Sequence, residues 1–147
     1  MQNSGNNREK KRVLFICTHN AGRSQMAEGY LRARYGDRYE VFSAGTEPSR
    51  VSPYAVRVMA EIGVDISGHE SKSLSQFIGE EMDIVVTVCD SAQKTCPVFP
   101  WAKRIIHHGV PDPGSLRGSA EDILSGFRAI RDDLAEWIDT EFGSVTS

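Results

Sequence analysis

The sequence lacks any long hydrophobic run, and it has few cysteines. No apolar stretch among the 147 residues approaches the ~20 that a membrane-spanning helix needs. The amino terminus is polar and has no apolar segment of the kind found in signal peptides. Three widely spaced cysteines are an odd number and do not make the paired framework of a small secreted domain. These absences favour a cytoplasmic protein.

The chain also lacks a strong excess of charge of either sign. Its net charge of −3 at pH 7 gives no reason to expect binding to nucleic acid or to a membrane surface. Internal repeats and Pro/Gly/Ser-rich linkers are missing, which favours one domain. We expect a flexible polar tail over residues 1–11, a single domain over 12–142 and a second tail over 143–147. We expect a monomer.

Short strand-forming segments alternate with helical patterns along the chain. The predicted strands are Val13–Cys17, Tyr39–Ala44, Asp83–Cys89 and Arg104–His107. The helical patterns begin at about Arg23 and after the candidate N-caps Ser52 and Ser119. In the second helical pattern the apolar stripe is Ala55, Met59 and Ile62. Such alternation predicts an α/β fold, a parallel sheet with helices on both faces.

The segment that joins the first predicted strand to the first helix carries the strongest chemical signal. Backbone N–H groups of such a loop can point inward and form an anion-binding nest, and the helix dipole adds positive charge. An arginine at its end can hold two oxygens of a phosphate-like group. The predicted oxyanion-binding residues are Thr18, His19, Asn20, Ala21, Gly22, Arg23 and Ser24.

The same groups stabilise a thiolate, so Cys17 is expected to be a nucleophile at neutral pH. Ser24 is placed to donate a hydrogen bond to it, and Asn20 and Gly22 tolerate the unusual dihedral angles of a tight loop. The alternative is that the two residues have no catalytic role: Cys17 is a buried cysteine at a strand end and Arg23 is a surface residue. The spacing of Cys17 and Arg23 on its own is common by chance. Cys89 also ends a predicted strand, and the carboxyl ends of parallel strands meet where such folds bind ligands.

Several motifs together carry a resemblance to a known family. They are CTHNAGRSQMAEG from residue 17, FSAGTE from 42, VDIS from 64, VVTVCDSAQKTCPVFP from 85 and the pair Asp112-Pro113. The chain resembles the low-molecular-weight tyrosine phosphatase superfamily and, more narrowly, its thioredoxin-coupled arsenate reductases. Cysteines 89 and 96 favour the reductase branch. The resemblance implies a three-layer α/β/α fold with a four-stranded parallel sheet.

The resemblance also implies a catalytic cycle. Cys17 forms a covalent adduct with arsenate, for which phosphate and sulfate are analogues. Cys89 then attacks the sulfur of Cys17 and releases arsenite, and Cys96 attacks Cys89. Thioredoxin reduces the resulting disulfide, so no cofactor is expected; glutaredoxin and mycothiol systems remain open as reductants. Asp112 and Arg23 complete the predicted catalytic set, with Asp112 as the general acid, although a turn residue before proline is the alternative.

Other functions remain open at this point. A phosphatase of the family usually has aromatic residues after its Asp-Pro pair, whereas Gly114 and Ser115 follow here, which favours a small inorganic oxyanion. An idle anion-sensing module is the alternative that is not an enzyme. Cys89 and Cys96 are alternatively structural or half of a zinc site, but four metal ligands are not evident and we expect no metal centre.

Some thioredoxin-coupled arsenate reductases bind potassium through an Asn, a Glu, a Ser and an Asp. Asn20, Glu28 and Ser43 match the first three, and Lys72 stands at the position of the Asp. A lysine there opposes a cation by like charge. We therefore predict no dependence on potassium.

Overall fold

The computed structural model of the chain describes residues 10–89, 101–111, 113 and 116–143. Its elements are β1 (Lys11–Cys17), α1 (Arg23–Tyr35), β2 (Tyr39–Gly45), α2 (Pro53–Ala60), a 3₁₀ helix (Leu74–Phe77), β3 (Met82–Cys89), β4 (Ala102–Val110) and α3 (Ala120–Phe142). The predicted order of strands and helices is confirmed. β1 begins at Lys11, which lies inside the predicted amino-terminal tail.

The four strands form one parallel sheet in the order β2-β1-β3-β4. The sheet confirms the predicted α/β fold class. From β1 the chain first goes to β2 on one side and later to β3 on the other, so the carboxyl end of β1 is a switch point of the strand order. Open α/β sheets bind their ligands at such a point. Cys17 is the last residue of β1 and lies there.

The side chains of β1 are buried on both faces of the sheet, as its apolar run predicted. Val13 and Phe15 face a core that all three α-helices cover. Leu14 and Ile16 face the other side, because successive side chains of a strand point to opposite faces. In the part of the chain that the structure describes, the helical layer on that second side is the 3₁₀ helix Leu74–Phe77.

β4 is longer than predicted and reaches Val110 rather than His107. It is one of the two edge strands, and its exposed side chains include charged residues such as Arg104. Its backbone pairing with β3 runs from Ala102 to Val110, so hydrogen bonding rather than an apolar pattern defines the strand. This extension brings Val110 beside the end of β3.

The helix starts agree with their predicted caps. The side chain of Ser52 accepts from two backbone N–H groups of α2, and Ser119 forms a capping box with Asp122 at the start of α3. The predicted stripe of α2 is wrong at Ile62, which is 40% exposed, because the helix ends at Ala60 and the chain then turns through Gly63 at φ +81°. None of the described helices combines the length and the apolar character needed to cross a membrane.

Candidate active site

The loop between β1 and α1 turns its carbonyl groups outward. The carbonyls of Cys17, Thr18 and His19 accept from backbone N–H groups of residues 46, 47 and 49, at 3.2, 2.7 and 3.1 Å. Those of Asn20, Ala21 and Gly22 accept from the side chain of Gln25 and from the N–H groups of residues 52 and 26. In a trans peptide the following N–H points the opposite way. The N–H groups of residues 18–23 therefore face the inside of the loop and form a nest for an anion.

One of the two predicted unusual backbone conformations in this loop is left-handed. Asn20 adopts φ +51°, as expected of a residue that tolerates the left-handed region. Gly22 adopts φ −124° and ψ −73° and does not use the left-handed region. Asn20 is therefore the residue at which the chain reverses to close the nest.

The thiol of Cys17 lies at the base of the loop and is only 2% exposed. Its Sγ is 2.9 Å from the hydroxyl oxygen of Ser24. That oxygen also accepts a hydrogen bond of 2.7 Å from the side-chain amide of Asn20, and it keeps one proton that it can donate when the sulfur is a thiolate. Ser24 thus has the geometry of the predicted donor to the thiolate.

The amide of Asn20 makes all the hydrogen bonds available to it. Its nitrogen donates to Ser24 and, at 2.9 Å, to Ser43. Its oxygen accepts from the backbone N–H of Lys72 at 2.7 Å and from Gln25 at 2.8 Å. Because the N–H of Lys72 can only donate, it fixes which end of the amide carries the oxygen.

A buried carboxylate lies behind this amide. Glu28 is 5% exposed; it accepts a short hydrogen bond from Ser43 and pairs with Arg32 of the next turn of α1. The ammonium of Lys72 lies 3.6 Å from its Oε1. Two cationic side chains thus offset the cost of burying this charge. From the sequence, only the potassium site of related proteins pointed to Glu28, Ser43 and Lys72.

Arg23 begins α1 and is 5% exposed. Its Nη1 donates to the carbonyl of Val110 at 3.3 Å, so the end of β4 helps to position the guanidinium. Arg23 and Cys17 line the same cleft, which has a volume of about 320 Å³. The structure therefore brings together Cys17, the predicted nucleophile, and Arg23, the predicted oxyanion-binding arginine.

The remaining wall of the cleft is mostly apolar, a feature that was not predicted from the sequence. Tyr54 and Phe127 stack with their ring centroids 5.5 Å apart. Pro113, Leu116 and Ile123 also line it. His19, a predicted oxyanion-binding residue, also lines the cleft, and its Nδ1 is 3.0 Å from the carbonyl oxygen of Glu47. Tyr54, Phe127, Leu116 and Ile123 come from separate segments outside the quoted motifs, so no local motif could have revealed this wall.

Three predicted catalytic groups cannot be placed. Asp112 and Cys96 lie outside the described residues, and so does the side chain of Cys89. The backbone of Cys89 ends β3 opposite Val110, whose carbonyl accepts from Arg23. Within the described ranges no group of three or more His, Cys, Asp or Glu is arranged to hold a metal ion. Two supports of Asn20 were missed: Gln25 lies within the motif that begins at Cys17 but was not singled out, and His69 lies outside the quoted motifs.

Comparisons with known proteins extend these observations. The family model of the low molecular weight phosphotyrosine protein phosphatases matches residues 12–142. An arsenate reductase from Halalkalibacterium halodurans is 42% identical over 131 residues, which cover 89% of this chain and 94% of that protein. A solved arsenate reductase in a phosphate-binding state is 32% identical, with a TM-score of 0.70 over 88% of this chain and 95% of that one.

A thioredoxin-dependent arsenate reductase from Corynebacterium glutamicum is also similar. It is 30% identical, with a TM-score of 0.59 over 89% of this chain and 63% of that one. The family match runs from the second residue of β1 to the last residue of α3 and includes the whole anion-binding loop. The sheet order, the loop and the match agree: the chain belongs to the low molecular weight phosphotyrosine protein phosphatase family.

Proposed function

We propose that this protein is an arsenate reductase that works through a relay of its three cysteines and is regenerated by thioredoxin. The observation that carries the proposal is the contact of Cys17 with Ser24 at the base of a nest of inward N–H groups. A tetrahedral oxyanion fits such a nest, and the relatives of this chain include proteins that reduce one. The protein is proposed to act in the cytoplasm and to need no cofactor.

The first step is attack by the thiolate of Cys17 on arsenic. The N–H groups of the loop and the guanidinium of Arg23 stabilise the negative charge that builds up on the oxygens. One arsenic–oxygen bond breaks, and Asp112 gives a proton to the departing oxygen, which leaves as water. The hydroxyl of Ser24, 2.9 Å from Sγ, can donate a hydrogen bond to the attacking thiolate.

The second step transfers electrons. The thiolate of Cys89 attacks the sulfur of Cys17, a disulfide forms, and the sulfur–arsenic bond breaks with its electron pair staying on arsenic. Arsenic(V) is thereby reduced to arsenic(III) as two thiols are oxidised. β3 lies next to β1 in the sheet, so its end at Cys89 supports this order of events. Cys96 then exchanges with the new disulfide and frees Cys17.

Thioredoxin is the proposed reductant. Because the chain has two cysteines besides the nucleophile, it can form a disulfide within itself. A dithiol protein can then reduce that disulfide, and no small thiol is needed. A similar protein is thioredoxin-dependent, which supports thioredoxin here. Glutaredoxin and mycothiol systems are the alternatives, and each can be supplied in the same assay.

Hydrolysis of aryl phosphates is the second candidate function. The apolar cleft with its Tyr54–Phe127 pair favours it, because a small inorganic oxyanion makes no use of such a wall. The family also includes phosphotyrosine phosphatases. The two functions share the nucleophile and the loop and differ in their need for Cys89 and Cys96.

The deciding experiment follows NADPH oxidation with arsenate, thioredoxin and thioredoxin reductase. The wild-type protein should turn over arsenate, and Cys17→Ser should abolish both arsenate reduction and aryl phosphate hydrolysis. Cys89→Ala should block the release of arsenite while sparing hydrolysis. Cys96→Ala should stop thioredoxin-driven turnover after about one event. Normal turnover by both the Cys89 and the Cys96 variants would rule out the relay.

The same assays distinguish the competing functions. A protein that hydrolyses an aryl phosphate but leaves arsenate unreduced with all three reductants is a phosphatase. A protein inactive on both substrates is an anion-binding module. Direct measurement of arsenite guards against NADPH oxidation that is not coupled to arsenate.

A further inference from the structure

A histidine that the proposed reaction does not use attaches the end of β4 to α3. Nε2 of His108 lies 2.7 Å from Oδ1 of Asp133. An ionised carboxylate only accepts, so Nε2 carries a proton and donates it. The imidazole also stacks on the indole of Trp137, with ring centroids 4.6 Å apart and 11° between the planes. Asp133 and Trp137 are one helical turn apart on α3, so the two contacts hold His108 from the same helix face.

The helix side of this attachment is itself fixed in the core. The indole of Trp137 makes a T-shaped contact with Phe142, with ring centroids 5.8 Å apart. Phe142 is 1% exposed and makes a second T-shaped contact with Phe15 of β1. His108 is therefore anchored to the buried core rather than to an isolated surface side chain.

The anchor coincides with an irregularity in the sheet. The register of β3 and β4 is regular up to His107 and shifts before Val110. Two residues of β4, His108 and Gly109, stand there against one residue of β3. A bulge of this kind disrupts the ladder and leaves the extra residue unpaired. Backbone pairing therefore holds the last residues of β4 less firmly, and the contact of His108 with α3 compensates.

The residue that follows the bulge contacts the active site. Val110 is 1% exposed, and its carbonyl accepts from Nη1 of Arg23 at 3.3 Å. Arg23 lines the cleft together with Cys17 and is expected to hold two oxygens of the oxyanion. A planar guanidinium grips two oxygens only when its plane is correctly oriented. The position of the Val110 carbonyl therefore affects how well Arg23 binds an anion.

We propose that His108 is a positioning residue for Arg23. By anchoring the bulge of β4 to α3, it fixes the carbonyl of Val110 and, through that carbonyl, the plane of the guanidinium. The inference rests on the proposed function only for the role of Arg23 in binding the oxyanion. Arsenate reduction and the hydrolysis of aryl phosphates share that role.

Loss of His108 would act in two steps. Without the imidazole, the bulge keeps neither the hydrogen bond to Asp133 nor the stacking on Trp137, and the carbonyl of Val110 is no longer held in one place. The guanidinium of Arg23 then loses a fixed acceptor, and the anion must order it on binding. That ordering lowers the affinity for the anion.

The test measures the binding of inorganic phosphate by its protection of Cys17 from iodoacetamide, on reduced protein at pH 7 with neither arsenate nor thioredoxin present. Cleavage after Arg12 and Arg23 yields a peptide that holds Cys17 and no other cysteine, so mass spectrometry follows this thiol alone. His108→Ala should raise the phosphate concentration that halves the alkylation rate by about three- to tenfold, the range of one hydrogen bond.

Arg104→Ala is the matched control. Nη2 of Arg104 pairs with Glu141 at 3.1 Å and so also links β4 to α3, but at the start of the strand and away from Val110. This variant should bind phosphate as tightly as the wild type. Asp133→Asn keeps an oxygen that can accept from Nε2 of His108, so its phosphate affinity should stay within about twofold of wild type. Thermal unfolding verifies that each variant is folded.

A double-mutant cycle separates an effect through Arg23 from damage to the whole site. Arg23→Lys removes the planar fork whose orientation His108 is proposed to fix. In that background, His108→Ala should change the phosphate affinity by less than about twofold, because no guanidinium is left to orient. The same three- to tenfold loss in both backgrounds would mean that His108 acts on the loop itself, and the proposal would be wrong.

Equal protection of His108→Ala and the wild type by phosphate would overturn the proposal, and so would equal weakening in His108→Ala and Arg104→Ala. If His108→Ala does not fold, His108→Gln removes the ring that stacks on Trp137, and the same criteria apply to it. A wild-type protein that phosphate does not protect would overturn the proposed function together with this inference. The failure of the inference alone is therefore distinguishable from the failure of both.

Discussion

The ammonium of Lys72 lies 3.6 Å from Oε1 of Glu28, the carboxylate oxygen that also accepts from Ser43. The same lysine donates through Nζ to the carbonyl of Glu70 and through its backbone N–H to Asn20. A positive charge thus already stands beside the polar groups behind the anion-binding loop. A cation at this carboxylate would have to compete with it.

The first prediction is that arsenate reduction is equally fast in potassium and in sodium. Lys72→Ala removes the resident charge from Glu28 and should make the rate respond to potassium by about two- to fivefold, the range of one partly exposed ion pair. Steady-state rates at constant ionic strength measure this.

Lys103→Ala is the matched control for Lys72, because its ammonium pairs with Asp83 and has no contact with the loop. This variant should show no response to the choice of cation. Strong potassium activation of the wild-type protein would contradict the prediction.

The second prediction concerns Gly45, the last residue of β2. A Cβ at this position would lie 2.7 Å from the carbonyl oxygen of Thr18 and 2.8 Å from the nitrogen of Asn20. These are backbone atoms of the loop and cannot move aside without displacing its N–H groups. Gly45→Ala should therefore lower kcat/KM for arsenate by up to about 100-fold. It should also lower the free energy of unfolding by about 1–3 kcal/mol.

Gly68→Ala provides the comparison, since a Cβ there meets no atom within 4 Å. It should retain activity and stability close to those of the wild type. Denaturant unfolding and the arsenate assay on both alanine variants distinguish the two positions. Unchanged activity of Gly45→Ala would mean that the loop tolerates displacement.

Features of this molecule that depend on neighbouring residues along the chain could be predicted from the sequence, whereas those that depend on distant residues could not. β1 and the anion-binding loop could be predicted because they depend on neighbours along the chain: an apolar run, a cysteine at its end and an arginine six positions later. β4 was underestimated because an edge strand with exposed charged residues has no apolar pattern. Its length depends on hydrogen bonds to β3 that the sequence of β4 does not reveal.

The support behind the loop was harder to predict for the same reason. Gln25 and His69 are 44 positions apart, and Tyr54 and Phe127 come from different helices. Only the packing of the helices against the sheet brings such residues to one place. Each of them, taken alone, has the appearance of an ordinary helix or loop residue.

The third prediction concerns the aromatic wall of the cleft. Tyr54→Ala removes one ring of the stacked pair and should lower kcat/KM for an aryl phosphate about 3- to 10-fold, the range of one aromatic contact. Arsenate has no ring to pack there, so the ratio of the two kcat/KM values should fall by the same factor. Tyr54→Phe keeps the ring and should keep the ratio. Parallel losses on both substrates would place Tyr54 in the shared chemistry instead.

The last prediction concerns stability in acid. Glu61, just after α2, accepts from Arg128 and from Arg131 of α3 at 2.8–3.2 Å. Hydrogen bonds from Arg128 lower the pKa of Glu61 from 4.5 to about 2; Arg131 reinforces them and partial burial opposes them.

A carboxyl whose pKa is lower in the folded chain than in the unfolded chain stabilises the fold above its unfolded pKa. That contribution is lost as the pH falls through the folded value. For Glu61 the window therefore runs from about pH 4.5 down to about pH 2. Glu61→Gln should reduce stability at pH 7 and flatten the loss of stability across this window. Glu136→Gln, on α3, should leave the acid limb of the wild type unchanged. Urea unfolding at a series of pH values tests this, and an acid limb of Glu61→Gln as steep as that of the wild type would show that the link between α2 and α3 does not depend on this carboxylate.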